Sequence, residues 1–201
     1  MIKKILTLIT LITITSISAQ KANFGLKGGL NITNFSGDLK ANSSKTGFNV
    51  GAFVAIKTSS QLIIQPELIY STQGVTDSGS TFNLGYINIP VMFKYMPVDK
   101  VSLDFGPQLG FMTSADVTTT IPGSNTAITV DASKLFNSTD FGLNLGATLY
   151  ATQKLGIGLR YNIGFTNIAT QELKDIARYT ANIKDAYGAN RVFSVNVEYK
   201  F

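Results

Sequence analysis

From Phe193 to the end of the chain every second residue is apolar: Phe193, Val195, Val197, Tyr199 and Phe201, separated by Ser194, Asn196, Glu198 and Lys200. A period of two puts all five on one face of an extended strand, whereas a helix would scatter them around its axis. Seven further segments share the pattern. Even positions carry it in Phe24, Leu26, Leu30, Ile32, then in Phe48, Val50, Ala52, Val54, Ile56, and in the run from Gln61 to Gln73 through Leu62, Ile64, Pro66, Leu68 and Tyr70. Odd positions carry it afterwards, in Ile87 to Tyr95, Val101 to Phe111, Phe141 to Leu149 and Leu155 to Phe165. Pro66 lacks a backbone donor, so a bulge or local distortion is expected there.

The amino terminus sets the compartment. Lys3 and Lys4 precede an apolar run from Ile5 to Ile17, followed by Ser18-Ala19-Gln20. That is the form of a secretory signal peptide, residues 1–19, with the functional domain over 20–201. The run is shorter than the roughly 20 apolar residues of a spanning helix. Its removal lowers the formal charge from +5 to +3, an excess too small for a nucleic-acid patch, so no nucleic-acid partner is expected. The chain has no Cys, which excludes disulfides and an amino-terminal lipid-modified Cys. Mean hydropathy is slightly positive and charged residues are sparse, as when apolar residues are dispersed over membrane-facing strands.

Connections alternate in length. Thr58 to Ser60, Pro97 to Asp99 and Thr152 to Gln153 read as tight turns, and Thr33 to Thr46, Gly74 to Thr81, Ser114 to Ser138 and Asn167 to Asn190 as longer loops. The expected fold is all-β: an eight-stranded antiparallel transmembrane β-barrel, an up-and-down meander, in the outer membrane, with periplasmic turns and both termini periplasmic. A soluble secreted lipid-binding barrel would turn its apolar face inward instead. Glycine decides between the two: eleven glycines, from Gly25 to Gly164, fall on the polar face against Gly28 on the apolar one, as a crowded narrow lumen requires. Phe24, Phe93, Tyr95, Tyr199 and Phe201 lie toward the turn end of the apolar face, and Phe48, Tyr70, Phe111, Phe141 and Phe165 toward the loop end, with Phe105 and Tyr161 between. These are expected to be membrane-interface aromatics. Lipid and, during biogenesis, the outer-membrane barrel assembly machinery are the implied partners, the latter through the aromatic terminal strand.

Certain segments also resemble a known family. Phe24-Gly25-Leu26-Lys27-Gly28-Gly29-Leu30-Asn31, Gln65-Pro66-Glu67-Leu68, Tyr86-Ile87-Asn88-Ile89-Pro90, and Asn190-Arg191-Val192-Phe193 with Tyr199-Lys200-Phe201 resemble the PorT-like outer-membrane β-barrel family over nearly the whole mature chain. The resemblance implies the barrel fold and its location. Its founding member is associated with a secretion and gliding system, which makes an envelope or secretion-system protein a possible partner class.

On the polar face, Lys27, Glu67, Asp104, Arg160 and Glu198 fall at similar heights on five strands, with Gln65, Gln108, Asn144, Asn162 and Asn196 nearby. Charges in a narrow lumen must be paired or hydrated, so a plugging network is expected. Closure of the last strand on the first lets Lys27 meet Glu198, and Arg160 is expected to reach Glu67 or Asp104. The chain has no His and no Cys, which removes Ser-His catalysis and the strongest transition-metal ligands. A Glu67–Asp104 carboxylate pair is the remaining catalytic arrangement, and a structural role suits it better. No enzyme activity, cofactor or metal is expected. Thr118 to Val130 reads as a hairpin above the membrane. Leu173, Ile176, Ala177, Ile183 and Tyr187 recur at helical spacing between a Thr170 cap and a Gly188 stop, which predicts a short helix over the mouth in the last extracellular loop. The implied role is a structural or accessory component of the envelope; the alternative is a small channel or binding barrel for a hydrophobic or small polar solute.

Overall fold

The computed structural model describes residues 22–201 apart from 42, 78 and 121–125. The signal segment 1–19 lies outside the described residues. Nine strands follow in order: β1 (Ala22–Gly37), β2 (Ser43–Lys57), β3 (Leu62–Asp77), β4 (Ser80–Val98), β5 (Val101–Thr120), β6 (Ala127–Asp131), β7 (Thr139–Tyr150), β8 (Leu155–Gly164) and β9 (Gly188–Lys200). A 3₁₀ turn, Ser133–Leu135, precedes β7, and helix α1 (Gln171–Ala181) lies between β8 and β9.

Every pairing is antiparallel, and eight strands close a ring in which β9 pairs with β1 and β4 with β5. The ninth, β6, pairs with the upper part of β5 from Asp116↔Asp131 to Thr120↔Ala127, a hairpin standing above the ring. Closure leaves the ring without edges, which satisfies the backbone groups that an open sheet would expose. The alternating apolar residues point outward: Phe24, Leu30, Leu103, Leu109, Ile157 and Val197 are all exposed, while their polar neighbours are buried inside.

Glycines on the inner face let strands and side chains approach. A Cβ on Gly25 would strike the Phe53 ring and stand 2.5 Å from the Tyr199 carbonyl oxygen, and one on Gly106 would collide with the Val91 carbonyl. Both positions are closed to larger residues for steric reasons.

Two expectations need correction, and a third is met in one of its two forms. Gly74 to Thr81 is not a loop: β3 and β4 stay paired to Asp77↔Ser80. Pro66 causes no slip, since the register is continuous from Phe53↔Glu67 to Ile56↔Ile64 on one side and from Pro66↔Val91 to Ile69↔Asn88 on the other. The ladders skip a few pairs around the proline, and the register shifts instead between Ser44 and Asn49 of β2 and at the Gly85/Tyr86 step of β4. Helix α1 ends at Ala181, because Asn182 adopts the left-handed conformation (φ 56°) and its N–H bonds the Ala177 carbonyl; Gly188 opens β9 rather than ending the helix.

Above the level of Tyr70 and Ile87 the sense of the alternation reverses. The outward positions become Thr72, Thr76, Thr81 and Asn83, whereas the inward ones become Val75, Phe82 and Leu84. Strands β4 and β5 have 19 and 20 residues against 10 for β8. At roughly 3.3 Å per residue a 20-residue strand is about 66 Å long, enough to carry a second, water-bounded storey.

Candidate functional site: the barrel interior

From the tight-turn end toward the loops, the interior is layered. The first polar layer is ionic, with buried Phe53, Ala55 and Ile63 of β2 and β3 packed beside and below it. Lys27 and Glu198 face each other across the β1–β9 seam, with Nζ 3.6 Å from Oε2. Arg160, on β8, crosses the lumen to Glu67 on β3 with two parallel hydrogen bonds, Nη1 to Oε2 at 2.7 Å and Nη2 to Oε1 at 2.8 Å. Glu67 also accepts from Lys27 at 3.3 Å and from Gln65 at 2.9 Å. A bidentate guanidinium–carboxylate pair is the geometry that best offsets desolvation of two buried charges.

Asp104 lies with other partners. It accepts from Ser102 at 2.6 Å and Thr148 at 2.7 Å and stands 3.6 Å from the Lys94 ammonium. Lys94 is fully buried, donates to Glu198 at 2.7 Å and to the Tyr150 hydroxyl at 3.0 Å, and Tyr150 donates to Glu198 at 2.8 Å. Lys27, Lys94 and Arg160 thus balance Glu67, Asp104 and Glu198. The sequence reading overlooked Lys94 and Tyr150, although both sit on the inward parity of their strands.

Amides form the next layer. Asn49 donates to Asn31 and Asn31 to Ser71; opposite them Asn162 donates to Asn144 and Asn144 to Gln108. Asn196 lies in the same layer and donates to Ser194 at 3.0 Å. Between them is a cavity of about 40 Å³, room for roughly three waters.

An apolar layer fills the loop end. Phe35, Val75, Leu84, Tyr86, Ala115, Phe136 and Ile168 are buried together. Phe136 is central, with its ring 6.3 Å from Phe35 and 6.2 Å from Phe82. Its segment is held by Asn137, whose N–H bonds the Ile168 carbonyl and whose side-chain amide donates to the Asn167 carbonyl at 2.7 Å. Leu173 of α1 packs against this layer and Ala177 is buried, while Ile176 and Tyr179 remain exposed.

On the outer wall, Phe24, Phe48, Tyr70, Tyr95, Phe111, Phe141, Phe165, Tyr199 and Phe201 are exposed, and Phe93 is half-buried against Phe105, centroids 5.4 Å apart. Phe48–Tyr70 and Phe141–Phe165 pair near the loop end, and Tyr199–Phe201 near the turn end. Among the described residues no group of three or more His, Cys, Asp or Glu could hold a metal ion.

A closed, apolar-walled ring of this kind matches one family model, "Outer membrane protein beta-barrel domain", over residues 18–170. The chain belongs to this outer membrane β-barrel family. Solved structures agree on the fold. Neisserial surface protein A has a TM-score of 0.53 at 16% identity, covering 90% of this chain and 99% of that one. Ail, the attachment invasion locus protein of Yersinia pestis, has 0.52 at 12%, covering 90% and 99%. A major outer membrane protein from Thermus thermophilus has 0.50 at 15%, covering 90% and 100%. No curated protein sequence matches the chain. This outer membrane barrel therefore meets lipid with its exposed apolar belt, and the unusual feature of its sequence, a hydrophobic face turned outward, has its physical reason.

Proposed function

We propose that this barrel is a non-enzymatic structural or accessory component of the Gram-negative envelope, with a lumen closed to solutes and both termini in the periplasm. The observation that carries the reading is the stacking of three different seals on one axis: a charge-balanced ionic layer, an amide layer and an apolar layer around Phe136. A hydrated ion would have to disrupt each in turn. The aromatic pairs at the two ends of the outer face support a role as interfacial anchors. The strand segments beginning at Phe24 and Asn190 support membership of the PorT-like branch, and the packing of Leu173 against the loop-end layer, with Ala177 buried beside it on the same helix, supports α1 as a lid over the mouth.

Topology is tested by single-cysteine labelling, to which a Cys-free chain is suited. Tyr179→Cys, exposed on α1, is expected to react with a membrane-impermeant maleimide on intact cells. Ser59→Cys and Gln153→Cys, in the tight turns, are expected to react only after the outer membrane is permeabilised. The opposite pattern, or recovery in the soluble periplasmic fraction, would overturn the assignment.

A further inference from the structure

Below the ionic layer the barrel opens at the tight-turn end into a vestibule of about 1040 Å³. Four lysines line it: Lys57 from the end of β2, Lys100 from the β4–β5 turn, Lys154 from the β7–β8 turn and Lys200 from the end of β9. Lys57 and Lys200 stand on the inward parity of β2 and β9, and Lys100 and Lys154 immediately precede β5 and β8 in the turns that rim the same opening. None forms an ion pair with a described residue, and Asp99 is the one acidic side chain among the described residues lining the space. Lys200 is held in place, its ammonium 4.0 Å from the centroid of the Tyr150 ring, and Ala55, Ile63 and Met96 give one wall an apolar surface.

The ionic layer behind these lysines is neutral, so it does not absorb the excess positive charge. Lys154 and Lys200 are neighbours on the rim, the Lys200 N–H bonding the Lys154 carbonyl at 2.8 Å, while Lys57 and Lys100 enter from the end of β2 and from the β4–β5 turn, so a ligand with several negative charges matches the lining better than a monoanion. Lysine acts on phosphate as a point charge with rotatable donors and needs no planar fork.

We propose that this mouth is an anion-binding vestibule for a phosphate-bearing molecule carrying several negative charges, either a free phosphate compound or a lipid headgroup entering from the rim. The test is calorimetric titration of the full chain, in nanodiscs of zwitterionic phosphatidylcholine, with inorganic tripolyphosphate. Saturable binding is expected, weakening as salt rises. Lys57→Gln, Lys100→Gln and Lys154→Gln, all at exposed positions, are each expected to weaken it roughly fivefold, the Coulomb value of one charge pair at about 4 Å in water. Lys184→Gln, at the loop end, is expected to leave it unchanged. Nanodiscs containing phosphatidylglycerol distinguish the sources: competition with tripolyphosphate assigns the site to a headgroup, and unchanged affinity assigns it to a free compound. Absence of saturable binding, or equal loss in the Lys184 variant, would overturn the proposal.

Discussion

Glu67→Gln is the most informative single change in the ionic layer. The Glu67 carboxylate takes hydrogen bonds from both terminal nitrogens of Arg160 at 2.7 and 2.8 Å, from Lys27 at 3.3 Å and from Gln65 at 2.9 Å. The amide keeps the volume but turns an NH₂ toward donors and leaves three buried cations against two carboxylates. Breaking a buried ion pair on one side costs about 3–5 kcal/mol. With a slope of about 4 kcal/mol/M for guanidinium, that is a fall of roughly 1 M in the unfolding midpoint. The assay is a guanidinium titration in lipid vesicles followed by far-UV circular dichroism. Arg160→Gln should cost a similar amount, and the double variant, which restores charge balance, should be less unstable than the sum by about 0.5–3 kcal/mol. Strict additivity, or a shift below about 0.2 M for Glu67→Gln, would refute the claim that this layer is a coupled, desolvated network.

Other consequences are local. Gly106→Ala places a methyl against the Val91 carbonyl and is expected to destabilise by about 1–3 kcal/mol in the same titration, whereas Gly28→Ala, with its nearest atom at 3.6 Å, should be close to neutral. Phe136→Ala removes the centre of the loop-end layer and is expected to cost about 3–5 kcal/mol and to raise binding of a hydrophobic dye. Asn182→Ala keeps the Cβ in the left-handed region but removes the short polar side chain that tolerates it, and should lower stability by about 1 kcal/mol, read as earlier thermal loss of α1 protection in hydrogen exchange, while Asn182→Gly should not.

Strand number, facing and closure were legible because one physical contrast, lipid outside and packed polar groups inside, repeats along every strand. Lys27, Glu67, Asp104, Arg160 and Glu198 could be assigned to one interior by parity. Their pairing could not: Asp104 takes Lys94, Ser102 and Thr148 because those side chains lie on its own and adjacent strands, a matter of register and not of composition. The upper storey was hidden for a different reason. Where the outer face meets water, Thr72, Thr76 and Asn83 replace apolar residues and Val75 and Leu84 turn inward, so a continuing strand imitates a polar loop. Pro66 was legible as a disturbance of the ladder but not as to its form: its missing donor is accommodated by locally skipped pairs without an extra residue.

The central claim is that three successive layers close the lumen. Purified full-length protein reconstituted in planar bilayers tests it most directly. The account predicts no steady ionic current above that of the bare bilayer at either polarity. Stable, voltage-independent unitary conductance from the wild-type chain would contradict it.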